Sequence, residues 1–446
     1  MEGFFDVVNN VITAIDDFVW GVPLMVLILF GGILLTVRLG GLQFRQLPRA
    51  LRYMVKNEKG GSGEVTSFGA LCTALSATIG TGNIVGVATA VVVGGPGAML
   101  WMWLAALFGM ATKYSEGLLA VKFRSIDENT GHVLGGPFYY IERGMGKRLP
   151  KISWRWLAKI FAFFGMCVGL FGIGTFTQVN SINTAITNFF DPEKSFTVSV
   201  LGMDYSIATV IGGIVVAVLV GLVVIGGIKR ISTITSYIVP FMAIFYVVLG
   251  AILLIMNAAY IPAAFKYIFE CAFNPQAIFG GGLGYTMMLA MRYGFARGVF
   301  SNEAGLGSAP IAHAAANTRG AVNQGLWGIF EVFLDTIVIC TISGLSVVIF
   351  GLGLPDFALN GFGGLEGSDL AIAAFSNGVG AWGGYGITIA TVLFAASTIF
   401  GWSYYGEKAL EYLCKDSKIA VLIYKIIFCC AVVFGSVGSL SLMWNI

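Results

Sequence analysis

Long apolar runs separated by shorter polar, mostly basic or acidic segments recur along the whole chain. A helix needs about 20 apolar residues to cross a bilayer. On that spacing the chain predicts uninterrupted spans over 22–37, 98–120, 160–190, 207–228, 233–256, 321–352, 382–413 and 419–433. Residues 1–20 read as a short amphipathic helix at the interface. The segments 38–59 and 122–159 read as basic connections, 191–204 as a short acidic loop, 262–273 as a loop or interfacial helix, and 355–380 as an acidic, glycine-rich loop.

Two further stretches, 67–93 and 283–316, are apolar enough to cross but are interrupted. The first reads Thr78-Ile79-Gly80-Thr81-Gly82-Asn83 at its middle. Each glycine costs a helix interior about 1 kcal/mol relative to alanine. Unwound backbone survives at membrane depth only inside protein or along a wet cavity. The stretch is therefore expected to be two half-helices meeting at a site near the membrane midplane, an arrangement typical of secondary transporters. The second stretch carries Gly294, Gly298, Gly305 and Gly307 around Arg297 and Glu303.

Composition agrees. Of 446 residues, 57% are hydrophobic and 11% charged, with a mean hydropathy of +0.85. Soluble domains carry roughly 25% charged residues, so this is an all-α polytopic membrane protein. The net charge of +3 gives no reason to invoke nucleic acid. The seven cysteines show no CxxC pairing and read as free packing thiols. Two distant histidines, His132 and His313, leave little for a metal centre or an acid–base enzyme. The first residues lack the basic start and apolar core of a cleavable signal.

Lys and Arg mark the cytoplasmic ends of spans. They concentrate at 38–59, 122–159, 229–230 and 408–418. The chain is thus expected in the cell membrane with an extracellular N-terminus and cytoplasmic loops at 38–65 and 122–159. The two interrupted spans then run in opposite directions, five spans apart, as in an inverted repeat. The expected organisation is 1–65 as the N-terminal segment with one extra span, 66–258 as the first five-span repeat and 259–446 as the second. The apolar start at 439–446 is too short to cross, so the last span reads as incomplete.

Helix C-termini favour cations and N-termini favour anions. Carbonyls near Ser76, Ala77, Thr78 and Ile79 and amides near Gly82, Asn83 and Ile84 would put both poles at one break. That suits a monovalent cation and the carboxylate of a zwitterion, with Thr78, Thr81 and Asn83 completing the shells; oxygen donors suit a hard ion such as Na⁺. Carbonyls near Gly294 to Gly298 would take an ammonium, with Ser301 and Asn302 at the second unwound centre. Phe176 reads as a lid, Gln178 as a ligand for substrate polar atoms, and Ser397 and Thr398 as hydroxyls facing the first break. Arg297 with Glu303, and Lys113 with Glu116 at i,i+3, read as structural pairs or gates.

Gly94-Gly-Pro-Gly-Ala-Met-Leu-Trp-Met-Trp-Leu-Ala-Ala-Leu-Phe-Gly-Met110 resembles the signature of the prokaryotic sodium:alanine/glycine symporters. Residues 111–124, Gly135-Gly-Pro-Phe-Tyr-Tyr-Ile-Glu-Arg-Gly-Met-Gly146 and 296–310 resemble the same family. The resemblance implies a LeuT-type 5+5 inverted repeat with two discontinuous helices and one extra N-terminal helix. It implies uptake of alanine or glycine driven by Na⁺, in some members H⁺. By position, Thr78, Gly80, Gly82 and Asn83 would belong to the first unwound segment. Gly298, Ser301 and Asn302 would belong to the second, and Ser397 and Thr398 to a sodium site. The family's last helix, after the segment matching Trp444-Asn445, is missing here. A Na⁺ held by carbonyls near Ile79 and by Ser397 and Thr398 would keep the inner half-helix closed. The partners are then a small amino acid and the bilayer; no organic cofactor and no oligomer are required. A passive channel is the rival from another class, but the polar residues form isolated clusters rather than a continuous path.

Overall fold

The structure is a computed structural model and describes residues 21–53, 61–127, 131–191, 196–200, 203–273, 286–354 and 361–437. The expected interfacial helix at 1–20 and the apolar start at 439–446 lie outside these residues.

Helix α1 (Val22–Arg38) begins with Pro23 in its first turn and ends at Gly40 and Gly41, both at positive φ. The chain turns there by 81° into α2 (Leu42–Tyr53), so much of the expected basic connection is helical. Helix α3 (Ser67–Thr78) is capped by the Thr66 hydroxyl, which accepts the Gly69 N–H at 3.0 Å. It stops at Ile79. After a single tight turn over Thr81–Asn83, α4 (Val85–Gly94) continues at 61° to it. Helix α5 (Ala98–Lys122) has 25 residues, enough at about 1.5 Å per residue to cross a bilayer.

The expected single span at 160–190 is α6 (Arg155–Phe171) and α7 (Phe176–Phe190), interrupted at Gly172–Thr175. Helices α8 (Ile207–Val224) and α9 (Gly227–Met256) fall on the two spans expected at 207–228 and 233–256, but the turn comes earlier, so Lys229 and Arg230 lie in the first turn of α9. The segment left open between loop and interfacial helix is helical, α10 (Ile261–Phe273).

The second interrupted stretch breaks later than its glycines suggest. Helix α11 (Met287–Asn302) runs unbroken through Gly294 and Gly298. It ends at Glu303, whose φ of 55° is left-handed. Gly305 and Gly307, at φ 94° and 75°, carry the chain through the unwound turn into α12 (Ala309–Ala314). Gly294 and Gly298 serve packing instead: a Cβ on Gly294 would lie 2.4 Å from the Ala98 carbonyl oxygen, and one on Gly298 3.2 Å from the Ala105 Cβ.

Helix α13 (Ala321–Val332) passes through wide π-helical turns (Phe333–Cys340) into α14 (Thr341–Leu352). Part of the expected loop at 355–380 is helix α15 (Gly367–Val379). Helices α16 (Ala381–Leu413) and α17 (Lys418–Val437) follow.

Among the described residues six helices pass on both length and apolarity to cross a membrane, or eight if each bent pair is one span; α5 passes on length alone. Their burial sorts them. The α13–α14 helix and α16 are 72% and 67% buried over their most apolar windows, against 33–44% for α6–α7, α8, α9 and α17. The former build the interior. The latter present Ile211, Val218, Leu222, Phe241, Ile244 and Ile423 outward, as a hydrocarbon environment requires. Two short strands, Val65–Thr66 before α3 and Ala316–Asn317 after α12, pair in parallel and hold the ends of the two broken helices together.

Candidate functional site

The first break is fully buried. Ile79 makes the last α3 bond, its N–H donating to the Leu75 carbonyl at 2.8 Å. Four residues on, the Asn83 side chain folds back and accepts the Gly80 N–H at 2.8 Å, so one amide left over by unwinding is satisfied. The Thr81 N–H donates to Gln178 Oε1 at 3.3 Å, and Gln178 is held by donating Nε2 to the Ile173 carbonyl at 3.0 Å. The Thr81 hydroxyl is buried and has no partner among the described residues. Thr398 on α16 donates to the Ile79 carbonyl at 3.3 Å and to its own helix at Phe394 at 3.0 Å. A Cβ on Gly80 would come within 2.6 Å of that hydroxyl. Glycine is therefore what lets α16 approach the break.

Asn83 also reaches toward the second break. Its Nδ2 donates to Asp335 Oδ1 at 2.7 Å and to Ser301 Oγ at 2.8 Å. Ser301 Oγ donates to Asp335 Oδ2 at 2.7 Å, as does Thr336 Oγ1 at 2.7 Å. Asn302 donates Nδ2 to Thr336 Oγ1 at 3.0 Å. The Asn83 carbonyl accepts from Ser343, which shares a 2.6 Å bond with Tyr246. Asp335 thus joins three elements while itself fully buried, and among the described residues it forms no ion pair. A carboxyl group buried in an apolar span is costly and persists where several polar groups receive it, as here. The π-helical turns around it aim it and Thr336 at the breaks.

At the second break the helix poles are met by the protein itself. Lys113 on α5 donates to the Asn302 carbonyl at 2.7 Å and pairs with Glu331 at 3.1 Å. Three residues later, Glu116 Oε1 accepts the N–H groups of Gly305 and Gly307, each at 3.1 Å. One helix therefore sets an ammonium on the free carbonyl end, as the helix dipole favours, and a carboxyl oxygen on the free amide end. Lys113 and Glu116 do not pair with each other as the i,i+3 spacing suggests. Glu303 accepts from Trp402 Nε1 at 3.1 Å and bonds Ser308, while Arg297 lies 5.4 Å from the Phe300 ring centroid.

Where the two broken helices end side by side, His132 bridges Glu64 at 3.2 Å and Glu411 at 2.6 Å. Hydrogen bonds to Glu411 and then Glu64 push its pKa up to about 9. Lys408 completes the cluster, 2.7 Å from Glu411.

Comparison with known proteins decides which kind of membrane protein this is. The sodium:alanine symporter family matches over residues 5–446. The chain belongs to that family. A sodium/alanine symporter, AgcS, of Methanococcus maripaludis is 46% identical over 440 residues, 98% of this chain and 90% of the relative. An uncharacterized transporter of Haemophilus influenzae is 48% identical over 441 residues, again 98% and 90%. Among solved structures, MhsT in complex with L-phenylalanine matches with a TM-score of 0.57 at 15% identity, over 84% of this chain and 81% of that one; that likeness concerns the fold alone. As a member of the symporter family the chain is a multi-pass transporter and not an enzyme.

Within this symporter the expected site residues divide. The structure brings Gly80, Thr81, Gly82, Asn83, Gln178, Ile79 and Thr398 together at the first break; Ser301 joins it by its bond to Asn83, and Asn302 more remotely through Thr336 and Asp335. Thr78 and Ser76 spend their hydroxyls on α3, bonding the carbonyls of Ala74 and Thr73. Ser397 bonds the Phe394 carbonyl at 2.9 Å and faces Met242 Sδ. Phe176 packs on Phe171 and against Gly435 rather than over the break. Gly298 lies inside α11.

Asp335, Thr336, Glu331 and Ser343 escaped the sequence reading. The signal was there: Glu331 and Asp335 are acids inside an apolar span, which membrane energetics flags by itself.

Proposed function

We propose that this transporter couples the uptake of alanine or glycine to Na⁺ by alternating access. The unwound Ile79–Asn83 segment carries the reading, because its hard oxygen donors converge with a hydroxyl from another helix. Thr398 Oγ1 and the Ile79 carbonyl, 3.3 Å apart, form the nucleus of a Na⁺ shell. Ser397 and Ser76 join it after their hydroxyls leave the Phe394 and Thr73 carbonyls. The substrate zwitterion sits across Gly80, Thr81, Gly82 and Asn83, with Gln178, Ser301 and Asn302 around it; the unpartnered Thr81 hydroxyl is available to its polar atoms. Phe300 favours a small side chain: a Cβ on Gly82 would lie only 3.0 Å from its ring. Phe176, Gly298 and Thr78 have weaker support, for the geometric reasons above.

The same reading takes the fold as a 5+5 inverted repeat of LeuT type, 66–258 and 259–446, preceded by one extra helix. A break near the start of each half supports it. It also takes the N-terminus as extracellular and the basic loops as cytoplasmic. The test is uptake of labelled alanine and glycine into proteoliposomes under Na⁺, H⁺ or no gradient. Uptake indifferent to Na⁺ would remove the coupling ion, and uptake following the H⁺ gradient alone would replace it.

A further inference from the structure

The second break contains more buried acid than buried base. Glu116, Glu303 and Glu331 surround Lys113, and none of the four is more than 8% exposed. Among the described residues, the cations within pairing distance of these carboxylates are Lys113 and, when protonated, His313; both lie on Glu331. Glu303 and Glu116 therefore have no cationic partner. Ionised carboxylates without a cation are strongly disfavoured away from water.

The two differ in how their oxygens are used. Glu303 has a donor on each, Trp402 on one and Ser308 on the other. Glu116 has two backbone N–H donors on Oε1 and nothing on Oε2, which is buried without a partner. An ionised Glu116 would carry its charge on an oxygen that neither water nor a donor reaches, which is costly in the interior; a proton on Oε2 removes that charge and leaves Oε1 as the carbonyl oxygen that accepts both amides. The groups around it do not supply the missing charge. Lys113 on its own helix is committed to Glu331 and the Asn302 carbonyl. Tyr140, on the segment before α6, and Tyr405 on α16 bring phenol hydroxyls and no cation.

We propose that Glu116 is a proton-binding site of the second break. It holds its proton on Oε2 while the Glu303–Ser308 turn is closed as seen here. When the turn shifts and water enters, the O–H bond breaks, the electron pair stays on the carboxylate, and the proton leaves to water. The resulting carboxylate then has the same two backbone donors and a hydrated second oxygen. The exchange during the cycle rests on the transport reading; the protonation itself does not.

The protonation is tested by infrared difference spectroscopy of the purified protein in lipid at neutral pH, wild type against E116Q. Gln keeps an oxygen for the Gly305 and Gly307 amides. The expected result is loss of one carboxylic-acid C=O band in E116Q, with that band retained in an E303Q control. Loss of a carboxylate band instead overturns the proposal. Proton exchange is tested in wild-type proteoliposomes loaded with a pH dye and voltage-clamped. Alanine uptake with a matching change in lumen pH supports it, and uptake with none overturns it. A failure of small amino acids to enter under any gradient would fault the transport reading and leave the infrared result standing.

Discussion

Replacing Gly80 with alanine isolates the contact between the first break and α16. The Gly80 backbone, at φ −134° and ψ −161°, is extended and alanine adopts it without strain. The substitution therefore acts through space alone. Its Cβ would lie 2.6 Å from Thr398 Oγ1 and 3.4 Å from Gln178 Oε1. The second contact is ordinary; the first is well inside van der Waals distance and forces the hydroxyl off the Ile79 carbonyl. Overpacking of this kind costs about 1–3 kcal/mol. At about 1.4 kcal/mol per factor of ten, the Na⁺ concentration for half-maximal alanine uptake should rise about 5- to 140-fold. The assay is uptake at graded Na⁺ in proteoliposomes for wild type, G80A, T398A and the double variant. T398A removes the clashing oxygen, so the double variant should be no worse than T398A alone, a coupling of about 1–3 kcal/mol in the mutant cycle. Unchanged Na⁺ dependence in G80A, or strictly additive effects, would refute the placement of the ion beside Thr398.

Three further outcomes follow from the geometry. Lys113→Met strips Glu331 of its ammonium and should lower stability by about 3–5 kcal/mol, with Lys113→Met/Glu331→Met recovering much of the loss; thermal unfolding in detergent reads both, and a single variant as stable as wild type counts against the clamp. The pKa of His132, raised from 6.5 to about 9, stabilises the closed cluster fully below about pH 6.5 and progressively less as pH climbs through about 9. Hydrogen exchange at 61–66, corrected for its intrinsic pH dependence, should therefore quicken over that window in wild type and be flat in His132→Gln. Gly294→Ala, whose Cβ meets the Ala98 carbonyl oxygen at 2.4 Å, should destabilise by about 1–3 kcal/mol or more, whereas Gly31→Ala, with nothing within 4 Å, should melt as wild type does.

How much of this was legible in the chain depends on whether the signal is local. The first break is, because Gly80 and Gly82 lie where no helix wants two glycines and Asn83 folds back on its own turn. The second is not: four glycines compete, and only packing separates Gly294 and Gly298, which admit α5, from Gly305 and Gly307, which bend the chain. Lys113 and Glu116 invite a local pair by spacing, yet each has a stronger partner nearly two hundred residues away. Asp335 is legible as an acid inside an apolar span of 32 residues, but its partners Asn83 and Ser301 lie far away in sequence, and only the fold brings them together. Phe176 is polar-stripe neighbour in sequence and core residue in space, because the Gly172–Thr175 turn resets the helix face.

The parallel pairing of Val65–Thr66 with Ala316–Asn317 works as a rivet. Glu64 and Val65 both donate to the Ala315 carbonyl, and the Arg124 guanidinium grips the carbonyls of Ser62, Ala314 and Ala316 across the joint. Two levers fastened at one handle cannot swing separately. Any motion of either broken helix at that end must carry the other with it or shear this one joint, so the stiffness of a few backbone bonds sets how tightly the two broken helices keep step.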